Sequence, residues 1–150
     1  MRIRQIVFAA QDLQYGRDDA AALFRLVHPF RDPGVAELGI DNVVFAFGDP
    51  FIEVISRNWP DTACACHLAR HGDSAYAGNV RTGGLARDRK RLTAPGVPSA
   101  EFVDFSAIHL HPKDVGTATV SVDERRPAPS WRGGGPRWQV QPGRLGLQRA

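Results

Sequence analysis

Cysteine is scarce in this chain, and the two present, Cys64 and Cys66, stand one residue apart. Such spacing rarely closes a good disulfide, so a disulfide-stapled scaffold is excluded and a reducing compartment fits. Long apolar runs are missing as well: none approaches the roughly 20 residues that a membrane-spanning helix needs. The start, Met1-Arg2-Ile3-Arg4-Gln5-Ile6-Val7-Phe8, is broken by charge and alternates like a strand. It does not read as an export signal, and the cytoplasm is the expected location. Acidic residues stop at Glu124. Beyond it stand six arginines, at 125, 126, 132, 137, 144 and 149, and no carboxylate, so setting them aside turns the formal +3 of the chain into −3 for residues 1–124. A mildly acidic body argues against a general nucleic-acid-binding surface. The chain has no Walker-type glycine loop, no dinucleotide fingerprint and no Gly-x-Ser-x-Gly elbow. Gly133, Gly134 and Gly135 follow no strand and so form no phosphate loop.

What is present is an apolar fraction of 43%, enough to fill the core of one domain. Residues 2–10 alternate and then turn apolar, as a strand does. Asp12 is placed to cap a helix running to about Val27, with Leu13, Ala20, Leu23, Phe24 and Val27 at helical spacing and Gly16 weakening the first turns. Strands are expected at about residues 35–39, 42–47 and 51–56, the last two joined by Gly48-Asp49-Pro50. Residues 57–73 read as a connection. The pattern then restarts, with a strand over 76–82, a helix over 84–93, and strands near 100–104, 107–111 and 117–123. A β-α-β-β-β order that occurs twice, over about 1–57 and 74–124, is a duplicated module. From 125 the composition shifts to proline, glycine and arginine, which cannot offset the entropy of ordering, so a flexible basic tail is expected. Trp131, Trp138 and Leu145 remain available there for docking.

Two segments carry a resemblance to known proteins. Gln5-Ile6-Val7-Phe8-Ala9-Ala10-Gln11-Asp12-Leu13 is similar to the first strand and helix start of the vicinal-oxygen-chelate superfamily, the glyoxalase, bleomycin-resistance and dioxygenase-like proteins built from duplicated βαβββ modules. His111-Pro112-Lys113-Asp114-Val115-Gly116 resembles the turn before the last strand in methylmalonyl-CoA epimerases. The matches span about residues 2–124. The resemblance implies an α+β glyoxalase-like fold, with two modules forming a curved mixed sheet around a cleft. It also implies a small-molecule ligand, a homodimer, and one divalent metal ion held by the first and fourth strands of each module. Mapped onto this chain, the first module supplies Gln5 and Glu53 as metal ligands. The second module's histidine and glutamate positions fall on Ala77 and Ser121, so the metal site is expected to be incomplete.

The residues themselves add detail. Alternation puts Ile3, Gln5, Val7 and Ala9 on one face of the first strand, and Phe51, Glu53 and Ile55 on one face of another. The turn at 48–50 is expected to pair Phe47 with Phe51 and Phe45 with Glu53, so that phenyl rings surround the carboxylate. Burying an isolated carboxylate is costly unless a cation or hydrogen bonds compensate it. Glu53 is therefore a candidate ligand or general base, the alternative being a salt-bridged residue at a strand rim. Gln5 is served equally well by a metal or by a backbone partner. Asn79 and Arg81 share the face of Ala77. The turn over 112–116 is expected to pair His111 with Thr117, His109 with Thr119 and Ala107 with Ser121, which brings His109, Thr119 and Ser121 into the cleft. A slip of one residue would turn His109 away. Arg81 suits a carboxylate or phosphate, or else is an exposed strand charge. His109 either replaces the lost histidine ligand or is a satisfied strand residue, and His111, before a proline, reads as structural. Cys64, Cys66, His67 and His71 crowd one segment, but the cysteine spacing is wrong for zinc and there is no second pair.

Two functions follow. The first is a small-molecule binder with a cleft and no complete metal site, as in bleomycin-resistance-like members. The other is a divalent-metal-dependent lyase, isomerase or epimerase of the glyoxalase or methylmalonyl-CoA epimerase type. A regulatory partner acting through the basic tail is a third class.

Overall fold

The alternating opening forms β1 (Arg2–Ala9), and Asp12 caps α1 (Leu13–Phe24) by accepting from the backbone N–H groups of Gln14 at 2.8 Å and Tyr15 at 3.1 Å. Those N–H groups have no partner within the first turn, which is why an aspartate suits the position. The helix ends at Phe24 instead of Val27, because Arg25 adopts a left-handed backbone at φ 53°. Leu23 and Val27, expected in the apolar stripe, are exposed, and the packed side is Leu13, Ala20, Ala21 and Phe24. Gly16 belongs to that side. A Cβ there would lie 2.6 Å from the Ala10 Cβ and 2.9 Å from a Val54 methyl, so the helix crosses the sheet at a distance that only glycine permits.

This computed structural model describes residues 1–93, 99–100, 107–116 and 118–124. The basic tail and most of the strand expected at 100–104 lie outside them. Residues 35–39 do not form a strand: Pro33–Leu38 is a 3-10 helix, started by Asp32 accepting from the Gly34 N–H and closed by Gly39 at φ 67°. Proline at the first turn pre-sets the helical φ and removes an N–H that a strand would need. The Gly39 carbonyl accepts from Asn58 at 2.8 Å and Trp59 at 3.1 Å. A Cβ at this position would come within 2.4 Å of the Trp59 ring. Gly39→Ala is expected to cost about 2 kcal/mol, read as a lower urea midpoint with an unchanged m-value.

β2 (Ile40–Ala46) and β3 (Phe51–Arg57) form the expected hairpin. The connection after them holds a helix that the sequence pattern did not show, α2 (Ala63–His71), capped by Thr62 Oγ1 accepting from the Ala65 N–H at 3.0 Å. It buries only Cys64, Ala65 and Leu68, a stripe too narrow to stand out among its polar neighbours. Then follow β4 (Ser74–Thr82), α3 (Leu85–Thr93), β5 (Ser99–Ala100), β6 (Ala107–Leu110), α4 (Pro112–Val115) and β7 (Thr119–Glu124).

The seven strands make one mixed sheet in the order β2-β3-β1-β4-β7-β6-β5. Both halves share a plan. The first strand of each half runs parallel to its last (β1 with β3, β4 with β7), and that last strand pairs antiparallel with the one before it. β1 and β4 join the halves antiparallel. α1 covers one face over Val43, Phe45, Ile52 and Val54, and α3 covers the same face over Ile108, Leu110 and Val122 through Leu85 and Leu92. α2 packs on the opposite face, at one end, against Val7, Ala9 and Ile55. The polar side chains gather on the remainder of that opposite face.

Candidate functional site

Register decides which side chains meet. β2 pairs with β3 as Val44↔Glu53, Phe45↔Ile52 and Ala46↔Phe51, one residue away from the expected pairing. The loop is four residues long, closed by the Phe47 N–H donating to the Pro50 carbonyl at 2.9 Å, and the extra residue shifts the ladder. A one-residue shift exchanges faces. Phe45 therefore packs under α1, 1% exposed, and the Phe47 ring sits 6.3 Å from Phe24 of the same helix. Neither lies beside Glu53. Only Phe51, of the three expected aromatics, shares its face.

Glu53 is 8% exposed, but amides rather than rings surround its carboxylate. Asn42 Nδ2 donates to Oε1 at 2.5 Å, and Gln5 Nε2 donates to Oε2. The Gln5 oxygen accepts from Asn79 Nδ2 at 3.1 Å, and the Asn42 oxygen accepts from the Asp32 backbone N–H at 3.0 Å. An ionised carboxylate only accepts, so each amide turns its nitrogen to Glu53 and leaves its oxygen for the next donor. The resulting chain crosses β2, β3, β1 and β4 and ties the two halves of the sheet together. Burial pushes the Glu53 carboxyl above the ordinary glutamate range, the hydrogen bond from Asn42 opposes this, the Asp32 charge adds to it, and the Gln5 bond opposes it.

A bulge in β1 adds a residue that strand alternation hid. The pairing with β4 slips between Ile3 and Gln5, and the intervening Arg4 places its guanidinium carbon 4.1 Å over the Phe51 ring while donating to the Asp49 carbonyl. Uninterrupted alternation would put Arg4 on the helix face. Burial, then the charge of Arg81, lowers its pKa. Arg81 itself is engaged by Asp123, through two contacts of 3.4 Å.

In the second half, β6 pairs with β7 as His109↔Ser121 and Ala107↔Asp123, two residues from the expected register. The helical turn of α4 lengthens the connection and delays pairing. A shift of two preserves the face, so His109 stays on this side, its Nδ1 2.7 Å from Ser121 Oγ. Burial lowers the His109 pKa. Thr119 pairs with Ala77 instead. Phe51, Gln5, Asn79, Ser121 and His109 are successive partners in one cross-strand row, and Glu53, Val7, Ala77 and Thr119 form the row beside it. His111 starts α4, its Nδ1 accepting from the Lys113 N–H at 3.1 Å.

These residues do not fit a four-ligand divalent site. Both Glu53 oxygens accept amide N–H groups, and the Gln5 oxygen accepts from Asn79. Ala77 offers a methyl group that packs near α2, and the Ser121 hydroxyl meets His109. Among the described residues, no three His, Cys, Asp or Glu side chains assemble into a metal-holding group.

The same architecture is found in solved methylmalonyl-CoA epimerases. The enzyme from Mycobacterium tuberculosis matches with a TM-score of 0.66 at 19% identity, covering 84% of this chain and 89% of that one. The Streptomyces coelicolor enzyme in complex with 2-nitronate-propionyl-CoA gives 0.67 at 18% identity, covering 85% and 99%. A hypothetical protein from Bacillus halodurans gives 0.67 at 13%, covering 85% and 96%. No protein-family model and no curated protein sequence matches. The chain thus has an α+β, glyoxalase-like fold. Its likeness to the methylmalonyl-CoA epimerases, at these identities, is one of fold. Among the described residues no helix is long and apolar enough to cross a membrane.

Proposed function

We propose that this protein binds a small organic ligand of the acyl-CoA thioester class on the polar part of the sheet face that carries Glu53, without a divalent ion. The observation that carries this reading is the buried Glu53 carboxylate, fixed by amides from both sides and set beside a row of polar side chains that spans the two halves. A core that needed only packing would place apolar residues there. Arg4 over Phe51 brings positive charge to one end of the row, and the Ser121–His109 pair brings a second polar group to the other. The ligand class is supported by two neighbours of the same fold, one in complex with 2-nitronate-propionyl-CoA and one with methylmalonyl-CoA.

A second reading is proton transfer beside the thioester carbonyl, and the raised Glu53 carboxyl favours it. Glu53 would take the α-proton, the C–H electrons would pass into the enolate, and a proton would return to the same carbon. Calorimetric titration with propionyl-CoA and methylmalonyl-CoA tests the first reading. Saturable binding is expected, weakened about tenfold in Glu53→Gln by loss of the charged acceptor. No binding, or equal affinity in the variant, would overturn it. Exchange of the methylmalonyl α-hydrogen in D2O separates the two readings. A binder shows none, whereas an epimerase shows exchange that Glu53→Gln slows by about 10²–10⁴-fold. Manganese, cobalt and zinc ions are expected to leave Tm unchanged. A stoichiometric metal that disappears in Glu53→Ala would remove the metal-free part of the reading.

A further inference from the structure

A second feature lies away from the Glu53 network. One side of α2 carries Cys66, His67, Arg70 and His71, spaced by one, three and one residues, and α4 brings His111 and Lys113 to the same hollow. Between them is a cavity of about 380 Å³, bordered on the sheet by Tyr76 and Thr119. Among the described residues no aspartate or glutamate lines it. Elsewhere on the surface Arg2, Arg17, Arg31, Arg81 and Arg87 each pair with an aspartate. Among the described residues, no ion pair engages Arg70 or Lys113. Two permanent cations and three imidazoles thus converge on one hollow in a body whose net charge is negative.

One ring nitrogen, on His111, is set to donate. The Lys113 N–H occupies His111 Nδ1, so neutral His111 carries its proton on Nε2. Ser74 Oγ gives its only proton to the Gly72 carbonyl and therefore accepts from His67 Nε2 at 2.9 Å, which fixes the imidazole in place. The Tyr76 ring stands edge-on to His67 at 5.1 Å between centroids. The guanidinium of Arg70, the ammonium of Lys113 and the His111 Nε2–H match an acceptor that carries more than one negative charge.

We propose that this cavity binds a phosphate or diphosphate group, carried by an organic ester or free in solution. Its volume exceeds that of a diphosphate and leaves room for an attached organic part. Thr119, on its border, lies in the row that contains Glu53, three strand spacings or roughly 14 Å away, and none of the cavity's lining residues belongs to the Glu53 hydrogen-bond chain.

Calorimetric titration with inorganic pyrophosphate and with ADP, at fixed ionic strength, is the test. Saturable binding is expected, weakening as sodium chloride rises. Arg70→Gln combined with Lys113→Gln should weaken it by at least about tenfold. Both side chains are exposed, so the double variant should keep the wild-type circular dichroism spectrum. ADP binding tighter than pyrophosphate assigns the cavity to an organic phosphate, and equal affinity assigns it to the phosphate group alone. No saturable binding of either probe, or an unchanged affinity in the double variant, overturns the proposal. Glu53→Gln should leave pyrophosphate affinity unchanged, so failure here is distinguishable from failure of the thioester reading.

Discussion

Asn42→Ala should lower the stability by about 1.5–3 kcal/mol, measured by urea unfolding at neutral pH. Asn42 is 1% exposed and holds two partners at once: it donates to Glu53 Oε1 at 2.5 Å and accepts from the Asp32 N–H at 3.0 Å. Alanine removes a hydrogen bond to a charged group, worth about 1.5–3 kcal/mol, while the freed Asp32 N–H, on an exposed residue, turns to water. The same substitution should push the Glu53 carboxyl higher still, because Asn42 makes the stronger of its two opposing hydrogen bonds. Carbon-13 titration of the Glu53 carboxyl reads this directly. A loss below about 1 kcal/mol, with the carboxyl titrating as in the wild type, would mean that the amide chain does not hold Glu53.

Glu53→Gln should change how stability depends on pH. The folded-state carboxyl titrates above its unfolded value, so between the two values the folded protein holds a proton that the unfolded chain has released. The unfolded state then binds fewer protons, and this part of the stability falls as pH rises through that window. It is fully present below the unfolded value and gone above the folded one. Glutamine does not titrate and lacks the component. Variant stability minus wild-type stability should therefore climb with rising pH across the window and level off above it. A constant offset from the misdirected amide leaves that slope unaltered. A difference that stays flat from pH 4 to pH 8 would show that Glu53 is not held in a desolvating environment.

Gly16 shows how local signals can mislead. By propensity it only weakens α1, yet the structure uses it for close contact with Ala10 and Val54. Pro33 outweighed five strand-like residues after it, because a fixed φ and a missing N–H act at once, whereas a short apolar run acts only through packing. Phe45 and Phe47 were lost to the site through one extra loop residue, while His109 kept its face because its shift was two. Arg4 was hidden by a bulge, a feature that no alternation pattern contains. α2, and with it the basic cavity, was missed because its buried stripe is only three residues.

The residue types and their periods alone settled a good deal: the strand and cap at the start, the helix and hairpin that follow, the acidic body, and the placing of Gln5 and Glu53 on one face. Such features depend on neighbours close in sequence, where backbone geometry repeats every two or every 3.6 residues. Tertiary structure alone decided which partners those side chains found. Amides of Asn42 and Gln5, the latter held by Asn79, stand around Glu53 where phenyl rings were expected, because ladder register and bulges are set by contacts that sequence spacing does not encode.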